Sequence, residues 1–160
     1  KGLYHQIRLR NEHYDPQFPF YYYSRPGEYD SPLNDELTIN SMTLNMRWGR
    51  DELWVINGND RVSVGARRAP IIEAAYTYGR DGFSKSNITF HKVTLGFSHR
   101  LRLGTLGISN YRIDGGYYFG TVPYLILENH VGNESPFYTT AAFNTMNYFE
   151  FVSDRYASFR

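Results

Sequence analysis

The residues best suited to chemistry are four basic side chains and one acidic side chain between positions 92 and 114. Each lies an even number of residues from the others. Lys92, Arg100 and Arg102 follow one strand-like pattern, and Arg112 and Asp114 follow the next. Residues an even number apart project from the same face of a strand, so all five are predicted to line one polar face. Inside a barrel, such a face would border a wet lumen and select the solutes or plug segments that fit there.

The same basic and aromatic residues raise the alternative of nucleic acid binding, with the bases stacked on aromatic rings. The formal net charge is only +1, and neither an RNA-recognition octapeptide nor a zinc knuckle is present in the sequence. Nucleic acid is therefore not a predicted partner.

Catalytic and metal-binding patterns are missing from the sequence. His91 and His99 share a strand face, but eight residues separate them by roughly 27 Å, which is too far to share an ion. Glu150 and Asp154 are about 13 Å apart in a strand, too far for a glycosidase pair. The nucleophile elbow, the phosphate loop and the dinucleotide fingerprint are also missing. The sequence predicts a protein that is not an enzyme and uses no metal or cofactor, with an enzyme of unrecognised type as a minor alternative.

Apolar residues alternate with the basic ones and form the opposite face of the same two strands. They are Val93, Leu95, Phe97, Leu101 and Leu103, followed by Tyr111, Ile113, Tyr117 and Phe119. A strand of about eleven residues is long enough to cross a bilayer when tilted. This face is therefore predicted to contact membrane lipid, whereas no apolar run in the sequence is long enough for a spanning helix.

Further strands are predicted from the same period of two. The expected segments are 3–11, 41–48, a hairpin of 53–56 with 61–64, 71–78, 87–103 with a bulge near Lys92, 110–119 and 152–160. Residues 141–151 fit either a strand or a short helix. The composition agrees with a β-rich chain, since aromatic residues make up 18% and there are 14 glycines.

The connections between these strands differ in length according to the side on which they fall. Counting strand directions places the long segments 13–36, 79–86 and 128–136 on one side and the tight Gly104 turn on the other, with 49–69 as an exception. Long loops on one rim and short turns on the other are typical of outer-membrane barrels. Tyr21, Tyr22 and Tyr23 lie in the first long loop and are a candidate partner-binding segment, although packing over the barrel mouth is the alternative.

Together these features predict an all-β protein, an antiparallel up-and-down transmembrane β-barrel that is only part of a complete barrel. Residues 1–160 form a single segment, and flanking sequence is expected to be missing. The predicted location is the bacterial outer membrane, with a role in transport, export or envelope assembly and with lipid and other envelope proteins as partners. The alternative is a soluble or cell-surface β-sandwich that binds carbohydrate or protein through its tyrosine-rich loops.

Four segments of the chain resemble a known bacterial family. They are residues 69–79, 114–123, 132–133 and 143–156, the last containing Met146, Glu150, Phe151 and the Ser153, Asp154, Tyr156 run. The resemblance, from about Leu37 onward, is to a Bacteroidota outer-membrane family in which a carboxypeptidase-regulatory-like domain precedes a β-barrel of uncharacterised function. It implies that the chain is the C-terminal part of that barrel, and it implies no catalytic residue.

Overall fold

The computed structural model describes residues 2–19, 21–23, 30, 33–66, 70–82, 88–130, 132, 142, 146–147 and 151–160. Most of segment 141–151, which the sequence left open between strand and helix, lies outside these residues. The strands are β1 (Gly2–Tyr14), β2 (Tyr22–Tyr23), β3 (Leu33–Asn34), β4 (Leu37–Gly49), β5 (Glu52–Asn57), β6 (Asp60–Ala66), β7 (Ile71–Gly79), β8 (Phe90–Arg102), β9 (Ile108–Phe119), β10 (Glu128–Asn129), β11 (Val152–Ser153) and β12 (Arg155–Phe159). Two short 3-10 helices, Gly104–Leu106 and Tyr124–Ile126, flank β9.

Six strands form one antiparallel sheet in the order β1, β4, β7, β8, β9, β12. Each strand pairs with the long strand that precedes it in the chain, so the sheet is an up-and-down meander, and the predicted antiparallel all-β class is confirmed. Two-stranded ladders join β2 to β3, β5 to β6 and β10 to β11. In the described part of the chain no ladder joins β1 to β12, and the sheet is not closed.

The register of the sheet separates its side chains into two faces. Thr77 lies opposite Lys92, and Lys92 lies opposite Tyr118, so these polar positions share one face. Directly opposed residues project to the same side of a sheet, which places the alternate positions, such as Val93 opposite Tyr117, on the other face. We call these the polar face and the apolar face.

The predicted bulge near Lys92 is wrong. The register of β8 is uniform against both neighbours, with no shift between Phe90 and Arg102. Phe90 lies on the polar face, in phase with Lys92, because it belongs to a small core at one end of that face. The core consists of Leu37, Ile39, Ile88, Phe90 and Tyr118, with Tyr22, Val122, Leu125 and Ile126 packed against it.

The connections fall at the two ends of the sheet as the sequence predicted. The links from β1 to β4, β7 to β8 and β9 to β12 lie at one end, which we call the loop end. The links from β4 to β7 and β8 to β9 lie at the other, the turn end. The turn between β8 and β9 is tight, and Gly104 adopts a φ of 63° there. The longer excursion at this end is the predicted hairpin, β5 with β6, which turns at Gly58 and Asn59.

Several strand ends differ from the sequence prediction. The first strand continues three residues beyond Asn11 to Tyr14, because Glu12, His13 and Tyr14 still pair with β4. Leu103 lies just outside β8, which ends at Arg102. The final segment is split, since Val152–Ser153 pairs with β10 before the chain joins the main sheet at Arg155. Pairing partners distant in the sequence decide these ends.

The apolar face of the sheet is exposed among the described residues. Leu9 is 75% exposed, Ile7 60% and Leu95 59%, although such side chains are normally covered in a water-soluble sheet. A β-sandwich would need a second sheet on this face, and the three small ladders do not provide one in the described ranges. Among the described residues, no helix is both long and apolar enough to cross a membrane.

Candidate functional site

The polar face borders an open cavity of about 460 Å³. Its walls include Tyr4, Gln6 and Arg8 from β1 at one edge of the sheet and Tyr156 from β12 at the other edge. Because strands from both edges border the same space, the sheet curls around its polar face. The volume lies within the range of about 300–1,000 Å³ that is typical of small-molecule sites.

A chain of alternating charges crosses the wall of this cavity. Glu73 on β7 accepts hydrogen bonds from Arg47 on β4 and from Arg112 on β9, the latter at 3.0 Å from Nη2 to Oε2. Arg112 also donates to Asp114 at 2.8 Å, and Asp114 accepts from Arg160 at 3.2 Å. Each carboxylate therefore contacts two guanidinium groups, which ties β4, β7, β9 and the chain after β12 together.

Gly96 makes this crossing possible. It lies on β8 between Glu73 and Asp114, which are its direct cross-strand neighbours on β7 and β9. A Cβ atom at Gly96 would lie 3.2 Å from Asp114 Oδ1 and 3.4 Å from Glu73 Oε2. The missing side chain leaves the space through which Arg112 reaches over β8 to Glu73.

A second ion pair connects the cavity wall to the short ladder of β10 and β11. Lys92 Nζ donates to Glu128 Oε2 at 2.6 Å and lies 4.7 Å from the centre of the Tyr118 ring. Tyr118 in turn donates its hydroxyl to the carbonyl of Ile126 at 2.7 Å. These contacts hold the segment after β9 over the polar face near the loop end.

The five candidate lumen residues all project from the polar face, but they do not form one cationic ladder. Lys92 and Arg112 are neutralised by acidic partners, and Asp114 is shared between two arginines. Arg100 and Arg102 are exposed near the turn end and do not line the cavity. This neutralisation depends on the tertiary structure, because Glu73 on β7 and Glu128 on β10 reach Arg112 and Lys92 from other strands.

Eight of the nine candidate lipid-facing residues lie on the apolar face, on β8 or β9, whereas Leu103 follows β8 outside the ladder. The complete apolar face carries aromatic rings toward both ends. Toward the loop end they are Tyr76, Tyr78, Tyr117 and Phe119, and toward the turn end Trp48, Phe97, Tyr111 and Phe159. Between them a row crosses the sheet from His5 through Met46, Ala74, Leu95 and Gly115 to Ala157, and all of these except His5 are small or aliphatic. Aromatic girdles around an apolar band are typical of membrane barrels.

The three tyrosines of the candidate partner loop differ in their surroundings. Tyr22 packs against the core at the loop end and donates its hydroxyl to the carbonyl of Glu36 at 3.0 Å, and burial raises the pKa of its phenol above 10.0. Tyr21 is 64% exposed, and Tyr23 is 39% exposed. Packing therefore accounts for Tyr22, while Tyr21 and Tyr23 remain accessible to a partner.

The hairpin of β5 and β6 is fastened to the polar face at its base. Glu52 is the anchor, with a side chain only 4% exposed, and Arg47 Nη2 donates to it at 2.5 Å. Ser63 on the opposite strand of the hairpin donates to the same carboxylate oxygen of Glu52. Arg47 therefore joins the hairpin to Glu73 and the wall of the cavity.

Sequence reasoning identified Asp114 but missed Arg47 and the other acidic residues of the charge network, Glu73, Glu52 and Glu128. Glu73 interrupts an otherwise apolar stretch, and Arg47 occupies a polar position on the preceding long strand. Both signals are visible in the sequence, but their adjacency depends on the pairing of β4 with β7. Glu52 and Glu128 gave no signal, because they belong to short elements outside the main sheet.

Comparison with known protein families assigns the chain to one family. A family described as of unknown function, the DUF5686 C-terminal domain, matches residues 3–160, and the chain belongs to it. The match includes the first strand, whereas the sequence resemblance spans the chain from about Leu37 onward. No curated protein and no solved structure matches the chain.

Proposed function

We propose that this chain forms part of the wall of an outer-membrane β-barrel, with a non-catalytic role in transport, export or envelope assembly. The observation that carries the proposal is the exposed, mostly apolar face, which has aromatic rings toward both ends, polar positions such as His5 and Arg155 on its two edge strands, and a charged cavity on its reverse side. In water, exposed side chains such as Leu9, Ile7 and Leu95 would promote association. Against lipid tails the same face is stable.

The dimensions of the face agree with this proposal. His91 and His99 bracket the apolar section of β8, and their separation of eight residues corresponds to roughly 27 Å along the strand. With a strand tilt of about 40°, the height is about 20 Å, close to the band of about 25 Å in known barrels. In a complete barrel wall, the free edges of β1 and β12 would each be hydrogen-bonded to a neighbouring strand, because unpaired backbone groups are not tolerated in lipid.

Selective labelling of introduced thiols tests the orientation of the sheet. The chain contains no cysteine, so Leu95→Cys and Leu106→Cys each provide one reactive group. In native membranes, we expect Leu95→Cys to react with a lipid-soluble maleimide but not with a bulky water-soluble one. Leu106 is 86% exposed in the tight turn, so after membrane disruption Leu106→Cys is expected to react with both reagents.

Three further measurements address the location of the protein and the closure of the barrel wall. The protein is expected to fractionate with outer membranes, to require detergent for extraction and to migrate differently on gels before and after boiling. Extraction by buffer alone, together with full water-soluble labelling of Leu95→Cys, would refute the proposal.

A further inference from the structure

The cavity on the polar face contains one basic side chain that the charge network leaves unmatched. Its lining includes four basic residues, Arg8, Arg47, Lys92 and Arg112, and three acidic residues, Glu73, Asp114 and Glu128. The three acidic residues balance the charge of three of the four basic ones. Glu52 and Arg160, which pair with Arg47 and Asp114 from outside the cavity, add one negative and one positive charge and leave this balance unchanged. Within the described residues, Arg8 makes only a 3.5 Å contact to Gln6 Oε1.

A second unmatched donor lies beside Arg8. The Nδ2 atom of Asn45 is buried and has no hydrogen-bond partner in the described part of the chain. Asn45 is directly opposite Gln6, and Arg8 is the next residue of β1 on the same face, so Arg8 and Asn45 are diagonal neighbours. Diagonal neighbours are separated by about 7–8 Å, a distance that a small ligand can bridge. A buried amide donor without a partner is unfavourable unless a ligand or a water satisfies it.

We infer that this corner of the cavity binds a small hydroxylated monocarboxylate, of the size and chemistry of a sugar acid. Arg8 binds the carboxylate, and Asn45 donates to a second acceptor oxygen of the same molecule. Tyr4, Gln6, Thr94 and Tyr156 also line the cavity, and their hydroxyl and amide groups are of the kind that suits a polyhydroxylated ligand. A single excess positive charge matches one carboxylate, while Glu73, Asp114 and Glu128 disfavour a more highly charged anion.

Calorimetric titration of the folded, detergent-solubilised protein with glucuronate and with glucose tests this inference. At low ionic strength, glucuronate is expected to bind about tenfold more tightly than glucose, the value of one charge-assisted hydrogen bond. Arg8→Gln removes this difference, Arg8→Lys retains most of it, and Asn45→Ala weakens glucuronate binding severalfold. The matched control is Arg10→Gln, two residues along the same face, because Arg10 pairs with Glu12 outside the cavity.

Three results would overturn the inference: equal affinity for both probes, no binding of either probe, or equal losses in Arg8→Gln and Arg10→Gln. Tighter binding of glucose 6-phosphate than of glucuronate would also overturn it, since the site would then prefer a dianion. The experiment does not depend on where the protein resides. A failure of the membrane proposal therefore appears in the labelling experiment and not in this one.

Discussion

Replacing Leu95 with arginine is the most direct energetic test of what surrounds the apolar face. Leu95 is 59% exposed and lies four residues from both His91 and His99. Four residues span roughly 14 Å of strand, or about 10 Å of height at a tilt near 40°, which places Leu95 at the middle of the band. An arginine at the middle of a bilayer destabilises a membrane barrel by about 2–4 kcal/mol.

Arginine substitutions at three leucines at different heights along the sheet show how the loss of unfolding free energy depends on depth in the membrane. Leu101 projects from the same face beyond His99, where the expected loss falls to about 0–1 kcal/mol. Leu106 lies in the tight turn and is 86% exposed, so Leu106→Arg is expected to change stability by less than about 0.5 kcal/mol. The free energy of unfolding is measured by denaturant titration in lipid vesicles, with tryptophan emission as the probe.

The three substitutions distinguish an apolar face that contacts lipid from one that contacts water. If the apolar face were simply exposed to solvent, Leu95→Arg would behave like Leu106→Arg, because surface substitutions rarely exceed about 0.5 kcal/mol. A flat profile across the three positions would therefore refute the assignment of this face to lipid.

Three further predictions follow from contacts on the polar face. Glu73→Gln removes the charge shared by Arg47 and Arg112 and is expected to lower the free energy of unfolding by about 1–2 kcal/mol. Arg10→Gln, in an exposed pair, is expected to lower it by less than about 0.5 kcal/mol. Equal losses in the two variants would contradict the charge network. Gly79→Ala places a Cβ atom against the Phe90 ring and is expected to destabilise the loop-end core by about 1–3 kcal/mol. Gly115→Ala, whose nearest contact is 3.4 Å, is expected to change stability little by the same denaturant titration. Glu52→Gln is expected to loosen the base of the β5 and β6 hairpin and to increase the rate of protease cleavage between residues 52 and 66 about tenfold. Asp60→Asn, at the exposed turn, is expected to leave this rate unchanged. Unaltered cleavage of Glu52→Gln would show that the Arg47 contact does not fasten the hairpin.

Much of the meander was predictable because its signals are local. The alternation around Val93 and Leu95 identifies β8, and the Gly58 and Asn59 turn identifies the hairpin, without knowledge of any distant partner. The bulge near Lys92 was predicted wrongly because Phe90 was assumed to share the apolar face. Its burial is possible only because loop-end segments cover that part of the polar face.

The sequence by itself determined the long strands and the hairpin, their two faces and the ends at which the long and short connections fall, but not the short strands β2, β3 and β10. A strand exposes alternate residues to opposite sides, so the chain carries this information in its period of two. Only the tertiary structure decided which charges are neutralised. Glu73, Glu128 and Glu52 reach their basic partners across strands or from short ladders, and Gly96 provides the gap between them. Pairing between distant segments has no local period. For that reason the assembled sheet is needed to recognise Arg8 as the basic residue of the cavity that lacks an acidic partner among the described residues.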